Sequence, residues 1–174
     1  MTRKELLLLI SRLEEELNNI AGLEQELREK GYWPAGRTGS KSRAPAFPAG
    51  DTFTLRAIGS VLHDFYVAAE NLFQAIAREL DEKLPEGPTW HHALLRQMTL
   101  TIPGVRPAVL RKETAQRLDD FRAFRHLFRN VYGFNLSAEK LCDLLLKLPP
   151  TAAALRRDVE QFIAALRANL PEEE

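Results

Sequence analysis

The sequence predicts an all-α protein, an up-and-down helical bundle of two long and several shorter helices. Apolar residues recur at steps of three and four along most of the chain, the spacing that lines one face of an α-helix. No stretch sustains the two-residue alternation of a half-buried strand, and no internal repeat is evident. With 174 residues, the chain is long enough for one domain with a sizeable core, burying roughly 68–70% of the surface its unfolded form exposes. Residues 1–174 therefore read as a single helical domain.

The first long helix is expected over residues 4–30, where Leu6, Ile10, Leu13, Leu17, Ile20, Leu23 and Leu27 alternate with glutamates. Its leucine seam suits packing inside a bundle in preference to a coiled coil with a second subunit. The apolar run Leu6 to Ile10 is too short for a signal-peptide core and leads into Glu14-Glu15-Glu16. No run approaches the roughly 20 apolar residues needed to cross a bilayer. The expectation is a soluble, cytoplasmic protein with no membrane partner.

Residues 31–50 change to Gly, Pro, Ser and Arg with no hydrophobic period, which predicts a long flexible loop. Gly39-Ser40-Lys41-Ser42 partly resembles a phosphate loop but lacks its full spacing and the strand that precedes one.

The core region spans residues 51–170. Asp51 or Thr52 caps a second long helix carrying Leu55, Ile58, Leu62, Phe65, Leu72, Ile76 and Leu80, with Phe65, Tyr66 and Phe73 as core aromatics. Leu84-Pro85-Glu86-Gly87-Pro88 breaks it, and Thr89 caps a short helix with Trp90, Leu94, Leu95 and Met98. Ile102-Pro103-Gly104-Val105-Arg106-Pro107 reads as a rigid apolar connector. A further helix starts near Glu113-Thr114 and runs to Gly133. Ser137 caps a short helix through Lys147, which Pro149-Pro150 ends, and a last helix from Thr151 to Leu170 buries Leu155, Val159, Phe162, Ile163 and Leu166. Pro171-Glu172-Glu173-Glu174 is a solvated tail.

Lys plus Arg and Asp plus Glu balance at 24 each, so attraction for a polyanion must come from local clustering. The single cysteine, Cys142, cannot form an internal disulfide and reads as a small buried hydrophobe. His63 and Asp64 are adjacent with no further ligand at metal spacing, and no metal or other cofactor is expected. His91 and His92 diverge by about 100° on a helix, so structural or solvent-facing roles are the default for both.

The clustering occurs at Arg122 to Tyr132. On a helical wheel Phe124, Leu127, Phe128 and Val131 are expected to face the core, and Arg122, Arg125, His126, Arg129 and Asn130 to face a partner. Adjacent cations repel by roughly 0.2–0.5 kcal/mol per pair, so this face calls for a counter-charge.

Arg125, four intervening residues, position 130, one residue and Tyr132 reproduce the spacing of a known motif. The chain here resembles the HepT-like ribonuclease toxins of the HEPN superfamily, whose motif is Arg, four to six residues, His, one residue, Tyr. Trp90-His91 with Leu94-Leu95, and Pro103-Gly104-Val105-Arg106-Pro107, add to the resemblance, which covers residues 50 to 170. It implies a homodimer whose protomers line a shared cleft and cut RNA without a metal ion. Arg125 would steady the phosphate, Arg122 and Arg129 would bind RNA, and Tyr132 would lie beside the scissile group. It also implies a minimal nucleotidyltransferase antitoxin of the MntA type, which silences the toxin by adding AMP to the motif tyrosine, here Tyr132.

The chain departs from that motif at Asn130, where the family has His. An amide donates and accepts hydrogen bonds but carries no titratable proton near neutral pH, so Asn130 can position a hydroxyl or phosphate and cannot act as acid or base. Three arrangements fit. His126, one helical turn earlier, substitutes; or the arginines act by electrostatics alone; or catalysis is lost. In the last case the domain is a non-catalytic helical binding module that docks a nucleotidyltransferase or another protein partner.

Overall fold

The computed structural model describes residues 1–34, 47, 51–130 and 136–171, with the side chain of Asn130 outside the description. The described residues form five helices and no strand: α1 (Arg3–Glu29), α2 (Thr52–Glu79), α3 (Trp90–Gln97), α4 (Lys112–Asn130) and α5 (Ala138–Ala168). The expected all-α bundle is the observed one. Among the described residues no helix is long and apolar enough to cross a membrane.

Local chemistry sets most of the helix ends. Thr2 Oγ1 accepts from the Glu5 amide at 3.3 Å while Glu5 Oε2 accepts from the Thr2 amide at 2.8 Å, a reciprocal cap on α1. At its far end Gly31 takes φ +75°, and the chain turns so that the Tyr32 and Trp33 amides both donate to Leu27 O, at 2.8 and 3.0 Å. Asp51 caps α2 through the Thr54 amide at 2.9 Å, and Ser137 caps α5 through the Lys140 amide at 3.4 Å, as the sequence suggests. Thr89 stands at the expected start of α3 but caps it with its carbonyl alone, accepting from the His92 and Ala93 amides at 3.0 and 3.1 Å.

The α1 seam is buried in the bundle against α2 and α5, with Leu9 joining the expected leucines. α2 is the central element and touches each of the other four helices. It therefore buries side chains on more than one face, among them Phe65, Tyr66, Leu72, Phe73 and Ile76. The Phe65 and Phe121 rings meet edge to face, their centroids 5.0 Å apart, joining α2 to α4. Further along, Gly59 lets α4 approach closely: a Cβ there would lie 2.7 Å from Phe128 Cε2.

Three expectations need correction. Pro149 and Pro150 do not end a helix; both lie inside the continuous α5. An interior proline costs about 3 kcal/mol relative to alanine, but Leu141, Leu144, Leu145, Leu148, Ala152 and Leu155 are buried on both sides of the pair. Each buried leucine returns roughly 1.5–3 kcal/mol, so packing holds the helix through the break. The Thr151 hydroxyl also donates to Lys147 O at 2.7 Å, beside the missing proline amides.

The second concerns residues 31–50. Tyr32, Trp33 and Phe47 pack on the core, with the Tyr32 and Phe47 rings stacked 5.8 Å apart, so the ends of this stretch do bury surface. Residues 35–46 and 48–50, including Gly39-Ser40-Lys41-Ser42, lie outside the described residues, as do Val131, Gly133 and 172–174. Cys142 is half-buried, not fully so, and burial with the neighbouring Asp143 pushes its thiol above the usual range.

The segment 102–107 is a polar clamp as much as an apolar connector. Ile102 and Arg106 pair their backbones across a turn, with N to O distances of 2.9 and 3.0 Å. The Arg106 side chain is 0% exposed and grips Asp81 with two bonds, Nε to Oδ1 at 2.6 Å and Nη2 to Oδ2 at 2.8 Å. Its Nη1 donates to the carbonyls of Leu100 and Pro107, both at 3.0 Å. Such satisfaction is what a buried guanidinium requires.

Asp158 of α5 does similar work for α4. Its buried Oδ2 accepts from the Arg111 amide at 3.0 Å and from the Thr114 hydroxyl at 2.6 Å, satisfying the α4 amino terminus from a neighbouring helix. Burial pushes the Asp158 carboxyl up, but these bonds and Arg157 outweigh it and leave the group below its ordinary 3.8. The stabilisation is thus complete above that value and is lost as pH falls through the lower folded-state value. Asp158→Ala is expected to lower stability at pH 7 by about 1–3 kcal/mol, the cost of orphaned buried donors. Urea unfolding of wild type and variant checks this, and the difference should shrink in strong acid.

Candidate functional site

The site begins with two charged residues at core positions. On α2, Tyr66, Glu70, Phe73 and Ala77 follow one another at steps of four, three and four, and all are buried. On α4, Thr114, Leu118, Phe121, Arg125 and Phe128 follow at the same kind of spacing, the first three buried and the last two partly so. Leu118 and Phe121 are fully buried, and at about 100° per residue Arg125 lies within roughly 40° of both. Arg125 thus enters the α2–α4 interface with its side chain only 12% exposed, and finds the 4% exposed Glu70 there.

This overturns the expected division of α4. Arg125 points inward, whereas Leu127, placed on the core side by its apolarity, is 52% exposed. Phe124 is buried and Phe128 partly so, as expected, with ring centroids 5.6 Å apart. The charged side chain keeps the inward position because Glu70 supplies its counter-charge inside the bundle.

The geometry is a three-residue cluster where α2, α3 and α4 meet. Arg125 Nη2 lies 3.1 Å from Glu70 Oε1. His91 Nδ1 lies 2.6 Å from Glu70 Oε2, and His91 Nε2 lies 3.3 Å from Arg125 Nη1. Arginine only donates, so His91 Nε2 must accept, which puts the ring proton on Nδ1, facing Glu70. The Arg125 Nε atom is buried and meets no acceptor among the described residues. The Trp90 ring lies against that of His91, 3.7 Å between centroids. The Tyr66 phenol is pushed well above its usual range, first by burial and then by the nearby Glu70 charge.

The other expected site residues lie around this cluster. Arg122 is half-buried and its Nε donates to Asp119 Oδ1 at 2.6 Å, a bond that holds the guanidinium yet more firmly protonated. The neighbouring Asp120 meets Lys147 at 2.8 Å. His126 and Arg129 are exposed. Asn130 is the last residue of α4, with its side chain outside the description, and Tyr132 lies outside the described residues. The structure therefore joins Arg125 to residues the sequence reading left aside, Glu70 and His91. A signal for Glu70 was present: an acidic residue in an otherwise apolar row. For His91 the one signal was its place in the Trp90-His91 block of the resemblance, since helical spacing gave it the same default role as His92.

His63 and Asp64 pair with each other, Nδ1 to Oδ1 at 2.9 Å, and the His63 ring lies 5.3 Å from that of Phe128. Among the described residues no three His, Cys, Asp or Glu side chains are arranged to hold a metal ion.

The described residues thus form an all-α bundle in which a largely buried arginine, a buried carboxylate and a partly exposed imidazole meet between three helices. The chain belongs to the HepT-like family: the family model, HepT-like protein, matches residues 57–166. That range takes in most of α2, all of α3 and α4 and nearly all of α5, and leaves α1 outside. No curated protein and no solved structure matches the chain.

Glu70→Ala would leave the Arg125 charge inside the bundle without its counter-charge, at an expected cost of about 3–5 kcal/mol. Adding Arg125→Met should recover much of that loss. Urea unfolding of both variants tests the pair, and an unchanged midpoint for Glu70→Ala would contradict it.

Proposed function

We propose that the protein is the toxin component of a toxin–antitoxin pair, a homodimer that cuts RNA without a metal ion, with activity weakened by Asn130. The observation that carries this reading is the fixed guanidinium of Arg125, held by Glu70 and His91 on the helix that ends at Asn130. Each Nη carries two N–H groups, so each has one beyond its internal bond to offer a phosphate oxygen. A guanidinium already held in place when the phosphate arrives stabilises charge developing in the transition state.

The exposed Arg129 and the half-buried Arg122 extend the cationic strip and bind the flanking RNA backbone. Asn130 positions the 2′-hydroxyl or the phosphate through its amide. His126, one helical turn before it, donates a proton to the leaving oxygen. Tyr132 lies beside the scissile group and accepts AMP from a minimal nucleotidyltransferase antitoxin of the MntA type.

The test is incubation of RNA with the protein in the presence of EDTA. Wild type is expected to cleave, and Arg125→Ala and His126→Ala to be slower by about 10²-fold or more. RNA left intact by wild type would sink the nuclease reading.

Asn130 itself favours a second reading, a non-catalytic helical module that docks a nucleotidyltransferase or another protein partner. It expects a tight protein complex and no RNA turnover, and Tyr132 still takes AMP. Intact mass after co-expression with a neighbouring nucleotidyltransferase checks the pairing. The expected gain is one AMP on wild type and none on Tyr132→Phe, and no gain on wild type counts against it.

A further inference from the structure

We infer that His91 is the general base of this site, taking the proton of the RNA 2′-hydroxyl at Nε2, with Glu70 as the residue that positions its ring. The inference rests on the ribonuclease reading above and supplies the proton acceptor that Asn130 cannot be. Its ground is the cluster geometry. Glu70 Oε2 fixes the Nδ1 side of the ring at 2.6 Å, so the Nε2 lone pair is held in one direction. That direction is toward Arg125 Nη1 at 3.3 Å, beside the guanidinium assigned to the phosphate. In RNA the 2′-hydroxyl is a neighbour of the scissile phosphate. A base whose lone pair lies next to the phosphate clamp is therefore placed next to the proton it must remove.

A base oriented by a third group is the general arrangement for activating a hydroxyl. Glu70 fills that third role from α2, while Trp90 covers the ring. The His91 side chain is 20% exposed, so the ring is held by the fold yet reachable from its edge. The bond from Arg125 to Nε2 is the longest of the cluster, 3.3 Å against 3.1 and 2.6 Å. It is the one most easily exchanged when a phosphate oxygen draws Nη1 away.

The step balances without a co-reactant. The 2′-hydroxyl proton passes to His91 Nε2, the 2′-oxygen forms a bond to phosphorus, and the bond from phosphorus to the 5′-oxygen breaks. The leaving 5′-oxygen takes its proton from His126, the acid of the reading above, and solvent then re-protonates His126 as His91 returns its own proton to water. The products are a 2′,3′-cyclic phosphate and a 5′-hydroxyl end.

A purely structural His91 would only bridge Glu70 and Arg125, and Asn can still donate a hydrogen bond to Glu70 from the Nδ1 side. The experiment is single-turnover cleavage of an RNA oligonucleotide in EDTA by the full chain, comparing wild type, His91→Asn, His91→Ala and His92→Asn. His91→Asn is expected to slow cleavage about 10²–10⁴-fold with RNA binding unchanged. His91→Ala should be slow and regain rate on adding free imidazole, and His92→Asn should match wild type. Cleavage by His91→Asn at the wild-type rate overturns the inference and leaves the nuclease reading standing. So does a His91→Ala variant that imidazole does not accelerate, or a His91→Asn variant slowed only through lost RNA binding. A wild-type protein that leaves RNA intact overturns both.

Discussion

The ion pair between Glu70 and Arg125 is the constraint around which the rest of the site is arranged. Each is charged, each sits in an apolar row of its helix, and each is almost wholly removed from solvent. Stripping either ion of water costs several kcal/mol, which only its partner and further hydrogen bonds return. The pair therefore fixes the rotation of α4 against α2, because any other rotation would bury one charge alone. It also draws in His91 from α3, since the second oxygen of Glu70 needs a donor. A cationic side chain that the sequence pattern would leave in solvent is held rigid, in one geometry, inside the bundle.

Three other buried ions hold the frame that carries this cluster. Arg106 and Asp81 close the segment between α3 and α4, and Gln97 adds a bond to Asp81 Oδ2 at 2.6 Å. Asp158 fastens the start of α4 to α5. α4 is thus tied at its first turn by α5 and near its end by α2 and α3. Its position does not depend on apolar packing alone, which is non-directional. The Arg125 guanidinium is therefore held by directional bonds to two other helices, which limit how far it can shift.

Much of the fold was legible from residue spacing. The leucine steps of α1, the apolar steps of α2 and the caps at Asp51 and Ser137 are local features, and each acts through neighbours within a few residues. α5 was misread for the opposite reason. The break at Pro149-Pro150 is a local signal, but the helix is held by leucines packed against distant parts of the chain. The same limit applies to Arg125 and Leu127. Hydrophobicity placed one outside and the other inside, yet the inward direction of α4 is set by where Glu70 stands on another helix.

The sequence by itself determined the all-α class, the approximate course of the helices and the cationic strip before Tyr132, since these depend on periodicity and on the identity of adjacent residues. Through its match over residues 57–166 it also determined the HepT-like family. Only the tertiary structure decided that Arg125 is a buried, partnered guanidinium, and that Glu70 and His91 belong to its site while His92 does not. Those are matters of pairing between positions that lie 21, 34 and 55 residues apart in the chain. The free energy of a charge pair depends on the distance and burial of both partners, and neither is defined until three helices have packed.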